Sequence, residues 1–409
     1  MNKLKNGFTL IELLVVVSII AILSTLIVVY LNTAKMNARD ARRLSDVKQI
    51  QLALKMFYND VGIYPTLITA GASIANGGTN YLLRVPANPA PRNDNTCLDQ
   101  EYQYKQLESG ARYSLGFCLG DKTDDIDGGL RVATANGILN CPTGYVAIPG
   151  SSTFNTNDFC VMEYEAKCAT TAAPTVGLST PVTANGTYDN STTACTGANA
   201  PVSVSSGLPI GKISQANAKT YCQNIGGHLL TNPEAMTIAR NIEQQILNWS
   251  SLTTVGSVYM NIGNYNVTNA MDGTLAYGSG GATFDYKRTH VLSSSDTIND
   301  FSGNVSEWLD ATCTGGTGAG NYDTTAGYLQ WNNAALDDYE RGASGPSNSS
   351  WTSTEKIGEY YGCTTNGNAM QRGGSVLSTA TTDGGLYGLL LDRGTGDATQ
   401  TVIGFRCVK

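Results

Sequence analysis

The sequence predicts an α+β protein, in which a long N-terminal helix precedes a small antiparallel sheet and a larger, loop-rich α+β domain. Three observations carry this prediction. An apolar run continues into an amphipathic run up to Asp60, and short alternating segments follow to about residue 140. The remainder is rich in Gly, Ser and Thr and holds eight of the ten cysteines.

The first half of the predicted helix contains GFTLIELLVVVSIIAIL (residues 7–23), in which Glu12 is the one carboxylate. The run from Phe8 to Leu31 is long enough to span about 30 Å of hydrocarbon. An acidic group deep in such a helix costs roughly 2.5–3.5 kcal/mol, so intramembrane ionisable residues are functional by default. Two interpretations of Glu12 follow: it is tolerated at headgroup level, or it meets a partner. Lys3 and Lys5 predict that the N-terminus faces the cytoplasm.

The second half of the helix has one apolar stripe with steps of three and four residues, made by Val47, Ile50, Leu54, Phe57 and Val61. Gly62 and Pro65 end it, which gives a helix over 8–62 with a transmembrane half over 8–31. From Phe8 to Asp60 it would be one rod of roughly 80 Å. A helix of this kind suits a chain that leaves the membrane and packs against copies of itself.

The segment KNGFTLIELLVVVSIIAIL (residues 5–23) resembles the class III leader and N-terminal helix of type IV pilins and type II secretion pseudopilins. The resemblance implies a leader over 1–7, cleavage by prepilin peptidase after Gly7 and methylation of Phe8. Glu12 would be the fifth mature residue and would pair with the N-terminal amine of a neighbouring subunit, which makes its burial tolerable. The implied partners are other pilin subunits, and the chain would move from the inner membrane to an extracellular filament.

Composition agrees with export. An even number of cysteines suggests disulfides in an oxidising compartment. The absence of any C-x2-C pair, with only two histidines, argues against a zinc site. Residues 1–60 carry a net charge of +4 (eight Lys/Arg, four Asp/Glu) and the rest −11 (18 and 29), which argues against nucleic acid as a primary partner. The predicted helix also carries a basic cluster, which consists of Lys35, Arg39, Arg42 and Arg43. We expect this cluster to contact lipid headgroups or acidic groups of neighbouring subunits, or to face solvent.

Residues 63–140 read as a small pilin-like β domain with strands in YQYKQL and RYSLGFCLG. Cys97 and Cys118 flank these strands and would staple the intervening loop. A new domain begins near Cys141 and extends over 141–409, interrupted by a Ser/Thr-rich insert over 169–206. Within it we expect one helix that ends before Gly226 and a second that starts around Asn232.

Four motifs occur in this order within residues 141–409: VMEYEAK, GNVSEW, RGGS and GFRC. Together they resemble the formylglycine-generating-enzyme type of C-type lectin fold. The resemblance implies that the first and last strands of the domain pair and that Cys222 bridges to Cys407. Proximity in sequence suggests the other pairs, which are Cys141–Cys160, Cys168–Cys195 and Cys313–Cys363, although sequence alone does not fix connectivity.

The chemistry of that enzyme family is expected to be absent. The oxidase needs a reactive cysteine pair, and Ser378 stands where its first cysteine would be. A hydroxyl does not bind Cu(I) or form a disulfide as a thiolate does, so no copper is expected. His228 and His290 have no evident nucleophile partner, and we predict that the chain is not an enzyme.

The same resemblance implies a structural Ca²⁺ site around the GNVSEW motif. Its ligands would be the side chains of Asp300 and Glu307 and the backbone carbonyls of Gly303 and Val305. The alternative is that Glu307 accepts hydrogen bonds from backbone amides and Trp308 lies in the core.

The segment over 376–402 lies between the RGGS and GFRC motifs and resembles the hypervariable segment in variable proteins of diversity-generating retroelements. The resemblance implies a ligand-binding face made by Leu377, Ser378, Leu390, Asp392, Arg393, Asp397, Thr399 and Thr401. Tyr387 is expected to be core.

These predictions combine into a type IV pilin-like subunit whose lectin-fold domain binds a surface or extracellular ligand. The alternative is a secretion pseudopilin or structural subunit in which the extra domain serves assembly. A third possibility is a degenerate oxidase.

Overall fold

The computed structural model of the chain describes residues 10–170, 178, 183–184, 187–191, 195, 200–251, 254–256, 258–263, 287–378 and 384–409, without the side chains of residues 26–29. Its α-helices are α1 (Leu10–Val61), α2 (Gln215–Asn224), α3 (Asn232–Glu243) and α4 (Asp338–Ser344). Single 3-10 turns occupy Glu108–Gly110, Ile246–Asn248 and Ser353–Glu355.

Residues 10–140 form the N-terminal module, in which the second half of α1 packs against a sheet. Its strands are β1 (Ile74–Asn76), β2 (Thr79–Leu82), β3 (Gln103–Leu107), β4 (Arg112–Leu119), β5 (Gly129–Thr134) and β6 (Gly137–Leu139). Strands β3 to β6 form an antiparallel meander, and β1 and β2 form a hairpin. The predicted stripe of α1 is confirmed, since Val47, Ile50 and Leu54 are fully buried under the sheet.

Residues 141–409 form the C-terminal domain, whose described strands are short. They are β7 (Tyr145–Ile148), β8 (Phe159–Met162), β9 (Lys167–Cys168), β10 (Tyr188–Asp189), β11 (Pro201–Val202), β12 (Ile210–Gly211), β13 (His228–Leu229), β14 (Thr289–Val291), β15 (Thr297–Asn299), β16 (Ser306–Thr312), β17 (Tyr328–Leu329), β18 (Tyr360–Tyr361), β19 (Asn368–Arg372), β20 (Leu389–Gly394), β21 (Ile403–Phe405) and β22 (Cys407–Val408).

Two sheets organise the C-terminal domain. A four-stranded antiparallel sheet has the order β13-β22-β8-β7, so the last strand pairs with one of the first, as expected. A six-stranded mixed sheet has the order β17-β18-β20-β19-β16-β21. One face of this sheet contributes to a core around Trp249 and Trp331, and the other contributes to a core around Trp308 and Phe405.

Local sequence explains the two longer helices of this domain. The Ser214 side chain caps α2 by accepting from Asn217 N, and Gly226 follows the helix with a φ of 76°. Thr231 and Glu234 form a reciprocal capping box at the start of α3.

All five predicted disulfides are present: Cys97–Cys118, Cys141–Cys160, Cys168–Cys195, Cys222–Cys407 and Cys313–Cys363. All ten cysteines of the chain are therefore paired.

Candidate ligand-binding cleft and assembly helix

The first half of α1 projects without cover. Leu10, Leu13, Ile20 and Leu23 are at least half exposed, and this is the one described helix that is long and apolar enough to cross a membrane. The hydroxyls of its serines and of Thr25 bond to carbonyls three or four residues earlier, so they carry no unpaired donor into an apolar surrounding. Glu12 lies in the first turn of the helix. The predicted processing residues Gly7 and Phe8 lie outside the described residues.

The basic cluster of α1 points partly inward. Arg43 is fully buried and binds Asp40 at 2.7 Å and Asp94 at 2.8 Å. Arg39 also binds Asp94, with 2.9 Å from Nε to Oδ2, and this hydrogen bond lowers the pKa of Asp94. These two arginines therefore fix the helix to a proline-rich loop of their own subunit, residues 84–94 (RVPANPAPRND), whereas Arg42 is exposed.

The predicted calcium ligands do not fit a divalent cation as they are folded. Arg288 binds both oxygens of Asp300, with 2.6 Å between Nε and Oδ1. Arg406 binds Oε1 of Glu307 at 2.5 Å and also donates to the carbonyls of Met162, Glu163 and Asn299. A guanidinium thus already supplies positive charge to each carboxylate. Within the described residues no group of three or more His, Cys, Asp or Glu side chains is placed to hold a metal ion.

Two of the eight residues predicted for the ligand-binding face are buried, so they do not belong to it. Ser378 closes a turn, because its Oγ accepts from Ser375 N at 2.7 Å and its N donates to Ser375 O at 2.9 Å. Leu390 lies in the middle of the six-stranded sheet, paired with β18 and β19. Tyr387 is core, as expected, and donates to Glu243 at 2.6 Å.

Five other members of this face lie between residues 392 and 401, on the end of β20 and on the segment that follows it. Asp392 and Arg393 pair at 3.4 Å, while Asp397 accepts from Thr399 N at 2.9 Å and closes a turn. Thr401 is half-buried at the end of this segment, and its carbonyl accepts from Thr187. Leu377 is exposed on a different turn, after β19. The predicted face is thus a polar surface segment with one separate apolar residue.

A cleft of about 680 Å³ opens elsewhere on the C-terminal domain, between the start of α3 and α4, and we call it the α3–α4 cleft. This volume lies within the usual range for small-molecule sites. Its walls include the aromatic rings of Phe154, Tyr322 and Tyr339, of which the two tyrosines meet edge to face with 5.9 Å between centroids. Polar groups at the wall include Asn232 and Asp338.

Sequence reasoning missed this cleft because its lining comes from six separate segments, from Thr153 to Met370. None of the segments carries a local motif. The one available signal was the run of turn residues around 151–157, which places Phe154, a large apolar side chain, in a loop.

The N-terminal module holds one wall of the cleft. Glu108 accepts hydrogen bonds from Ser151, from Ser152 and from Thr153 N, and Thr153 and Phe154 line the cleft. Nearby, Asp158 accepts from Thr134 Oγ1 at 2.6 Å. The Cys141–Cys160 disulfide closes the same junction. The loop before β8 is therefore fixed from both sides.

Comparisons with known proteins fall into two parts of the chain. Residues 2–28 match the prokaryotic N-terminal methylation motif, and residues 143–409 match the sulfatase-modifying factor enzyme 1-like domain. The N-terminal part is similar to type II secretion system core protein G of Vibrio cholerae serotype O1, with 35% identity over 95 residues, 23% of this chain and 60% of that protein. The chain thus spans about 60% of the length of that relative.

Related proteins of the same name give similar values. The one from Aeromonas hydrophila is 31% identical over 99 residues, 22% of this chain and 69% of that protein. The one from Dickeya chrysanthemi is 32% identical over 119 residues, which are 28% of this chain and 70% of that protein.

Among solved structures, the Major Tropism Determinant I1 variant aligns with 16% identity and a TM-score of 0.32, over 66% of this chain and 52% of that chain. The P3c variant aligns with 13% identity and a TM-score of 0.33, over 84% of this chain and 73% of that chain. Superposition at this level carries no weight for fold or function.

Proposed function

Because the chain belongs to the sulfatase-modifying factor enzyme 1-like family through residues 143–409, and to the type II secretion system core protein G family through its N-terminal quarter, we propose that it is a pilus-type filament subunit that displays a non-catalytic ligand-binding domain. The observation that carries the proposal is the division of α1. One face of its second half is buried under its own sheet, whereas its first half presents bare apolar side chains over a membrane-spanning length.

An uncovered apolar helix of this length needs a hydrocarbon surrounding or a bundle of neighbouring helices. The membrane supplies the first before assembly, and a filament core supplies the second afterwards. Prepilin peptidase would cleave after Gly7, and the new amine at Phe8 would neutralise Glu12 of a neighbouring subunit.

The proposal of a non-catalytic domain rests on its cysteines. All ten cysteines of the chain, eight of them in this domain, are held in disulfides, and the residue at the position of the family's reactive cysteine is Ser378, buried in a turn. A thiol-dependent oxidase needs an accessible thiolate. A thiol-blocking reagent is therefore expected to change none of the protein's activities, and a loss of activity after blocking would contradict the proposal.

Binding would take place on the exposed part of the C-terminal domain. If residues 376–402 are diversified, changes should fall on Leu377, Arg393 and Thr399, which are accessible, and should spare Ser378 and Leu390, which are buried. Codon-level comparison of the gene between isolates tests this. Substitutions spread evenly over the domain would contradict diversification.

A second candidate function, a secretion pseudopilin, is favoured by the name of the N-terminal relatives, type II secretion system core protein G. In that case the C-terminal domain would serve assembly instead of adhesion.

Mass spectrometry of filaments sheared from intact cells separates the two. Display predicts a peptide that begins at methylated Phe8 in the sheared fraction, and its loss from that fraction in a Glu12→Ala variant, which keeps the membrane-spanning length. A processed chain found in the inner membrane and absent from the sheared fraction would overturn display and support the pseudopilin.

A further inference from the structure

Four arginines of the chain are less than 5% exposed, and three of them bind a carboxylate. Arg43 pairs with Asp40 and Asp94, Arg288 with Asp300, and Arg406 with Glu307. The fourth is Arg372, which makes no ion pair with any described residue. A buried charge without a counter-charge is costly, so this exception needs a physical reason.

Arg372 lies directly behind the wall of the α3–α4 cleft. Its Nε donates to Oδ1 of Asn232 at 2.9 Å, and Asn232 lines the cleft. Its Nη2 donates to Ser344 O at 2.9 Å, one residue after Ala343, which also lines the cleft. Its Nη1 is buried and has no hydrogen-bond partner in the described part of the chain. Burial lowers the pKa of Arg372 to about 10, so the group is still protonated at neutral pH.

The other charges around the cleft do not neutralise Arg372. Arg240 adds a second positive group, with its guanidinium 5.8 Å from the centre of the Phe154 ring. The carboxylate of Asp338 is fully exposed at the other side of the cleft and pairs at 3.7 Å with Arg341. The carboxylate of Glu243 is engaged by Tyr387 and Ser347 N as well as by Arg240. Arg372 therefore keeps its positive charge without a carboxylate partner among the described residues, while the rings of the cleft wall supply apolar surface.

We propose that the α3–α4 cleft binds a small carboxylate ligand with an aromatic or other apolar body, whose charged group is attracted by Arg372. The apolar body packs against Phe154, Tyr322 and Tyr339, and the carboxylate accepts from the free Nη1 edge after a small displacement of the wall. This inference rests on the proposed display of a ligand-binding domain and gives that domain a ligand class.

A matched pair of water-soluble probes tests the charge requirement. N-acetyltyrosine carries a carboxylate, and N-acetyltyrosinamide has the same ring and backbone without the charge. Calorimetry on the full chain in lipid nanodiscs is expected to give binding about tenfold tighter for the acid than for the amide, because hydrogen bonds to charged groups are the stronger ones. The preference should shrink as salt is raised.

Variants locate the site. Arg372→Gln is expected to remove the preference for the acid, and Tyr339→Ala, at the half-exposed rim, to weaken both probes. Because Arg372 also supports Asn232 and Ser344, its variant is at risk of unfolding, and Arg240→Gln then serves as the second test, with a partial loss of the preference. Asp99→Asn, on the N-terminal module and outside the cleft, is the control and should bind as the unmodified chain does.

Equal affinity for the two probes, or no saturable binding of either at millimolar concentration, would overturn the proposal. Failure of the proposed function is distinguishable. If the chain were absent from sheared filaments but still bound the acid selectively, the filament role would fail and the cleft would keep its ligand class.

Discussion

Glu108 of the N-terminal module binds Ser152 of the C-terminal domain through two contacts, 2.6 Å from the serine Oγ and 3.0 Å from its backbone N. The backbone that presents this carboxylate is strained, since Glu108 has a φ of 48° and Ser109 a φ of 52°. Non-glycine residues in this region cost on the order of 1–3 kcal/mol each, and such strain persists only when surrounding contacts impose it. The contacts here are those to the loop that lines the α3–α4 cleft.

Replacing Glu108 should therefore loosen the cleft wall. Glu108→Gln is expected to lower the free energy of unfolding by about 1–3 kcal/mol, because the donors of residues 151–153 lose a charged acceptor. Amide hydrogen exchange in the loop over 151–156 should rise as well. Asp99→Asn, which alters a mostly exposed carboxylate of the same module, is the matched control. Unchanged exchange in the loop of the Gln variant would show that the junction does not depend on this carboxylate.

Acid should act at the same junction. Burial raises the pKa of Glu108, but the hydrogen bonds from Ser151, Ser152 and Thr153 outweigh it, so the net pKa is lowered. The contribution of Glu108 is thus present above its ordinary pKa of about 4.5 and is lost as pH falls through the lower, folded value. Exchange in the loop should rise at acid pH in the unmodified chain and much less in Glu108→Gln, where the step is already lost. An identical acid response in both proteins would contradict this assignment.

The ion pairs of Arg288 and Arg406 give a further prediction, which concerns calcium. Since Arg406 and Arg288 already neutralise Glu307 and Asp300, chelation by EDTA or addition of Ca²⁺ should leave the Tm unchanged. Arg406→Met should instead destabilise the domain by about 3–5 kcal/mol, because it leaves a buried carboxylate unpaired. Differential scanning calorimetry measures both.

A rise in Tm with Ca²⁺ would contradict this interpretation. The hydroxyl of Ser302 is buried without a hydrogen-bond partner among the described residues, so it would then be the first candidate for an additional calcium ligand. Ser302→Ala would be the variant to compare in that case.

The disulfides give a prediction with an internal control. Cys222–Cys407 closes 185 residues of sequence, and Cys97–Cys118 closes 21. On the chain-entropy model the first contributes about 5 kcal/mol and the second about 3 kcal/mol. Replacing both cysteines of the long-range pair by serine should therefore lower stability more than the same change in the short-range pair. Equal losses in chemical denaturation would contradict an origin in loop closure.

Sequence alone predicted what depends on local chemistry. The run from Leu10 to Leu31 and the stripe from Val47 to Val61 fix α1, because burial periodicity is written into consecutive turns. Thr231 and Glu234 fix the start of α3 in the same way. The position of Ser378 after RGGS predicts a place on the ligand face, but whether a turn residue points outward depends on the packing of the turn. The α3–α4 cleft was beyond prediction for a related reason, since its six segments meet only through tertiary contacts.

The last prediction concerns His228, whose Nε2 lies 2.8 Å from Oε1 of Glu234 at the start of α3. The hydrogen bond to Glu234 raises the pKa of His228, and the charge of Asp310 acts in the same direction. Burial raises the pKa of Glu234, but hydrogen bonds from His228 and Thr231 outweigh burial and lower it overall. Both partners are thus charged over a wider pH range when the protein is folded.

The pH dependence of this pair follows from those directions. The part due to His228 is fully present below its ordinary pKa of about 6.5 and is lost as pH rises through the higher, folded value. The part due to Glu234 is lost as pH falls through its own lowered value. The stability difference between the unmodified chain and His228→Gln should therefore be largest between the two limits, near pH 5, and should shrink as pH rises through the raised pKa of His228. Because His228 is partly exposed, the difference should be about 0.5–1 kcal/mol.

The other histidine acts in the opposite sense and must be separated from this effect. Burial lowers the pKa of His290 to about 4, so this side chain stays neutral in the folded protein as pH falls below about 6.5. The unfolded chain gains a proton there, and the free energy of unfolding therefore decreases. This loss is the same in the unmodified chain and in His228→Gln, so it cancels in their difference. Thermal unfolding of both proteins between pH 4.5 and 9 measures that difference. A difference that does not vary with pH would mean that His228 and Glu234 contribute through packing and not through charge.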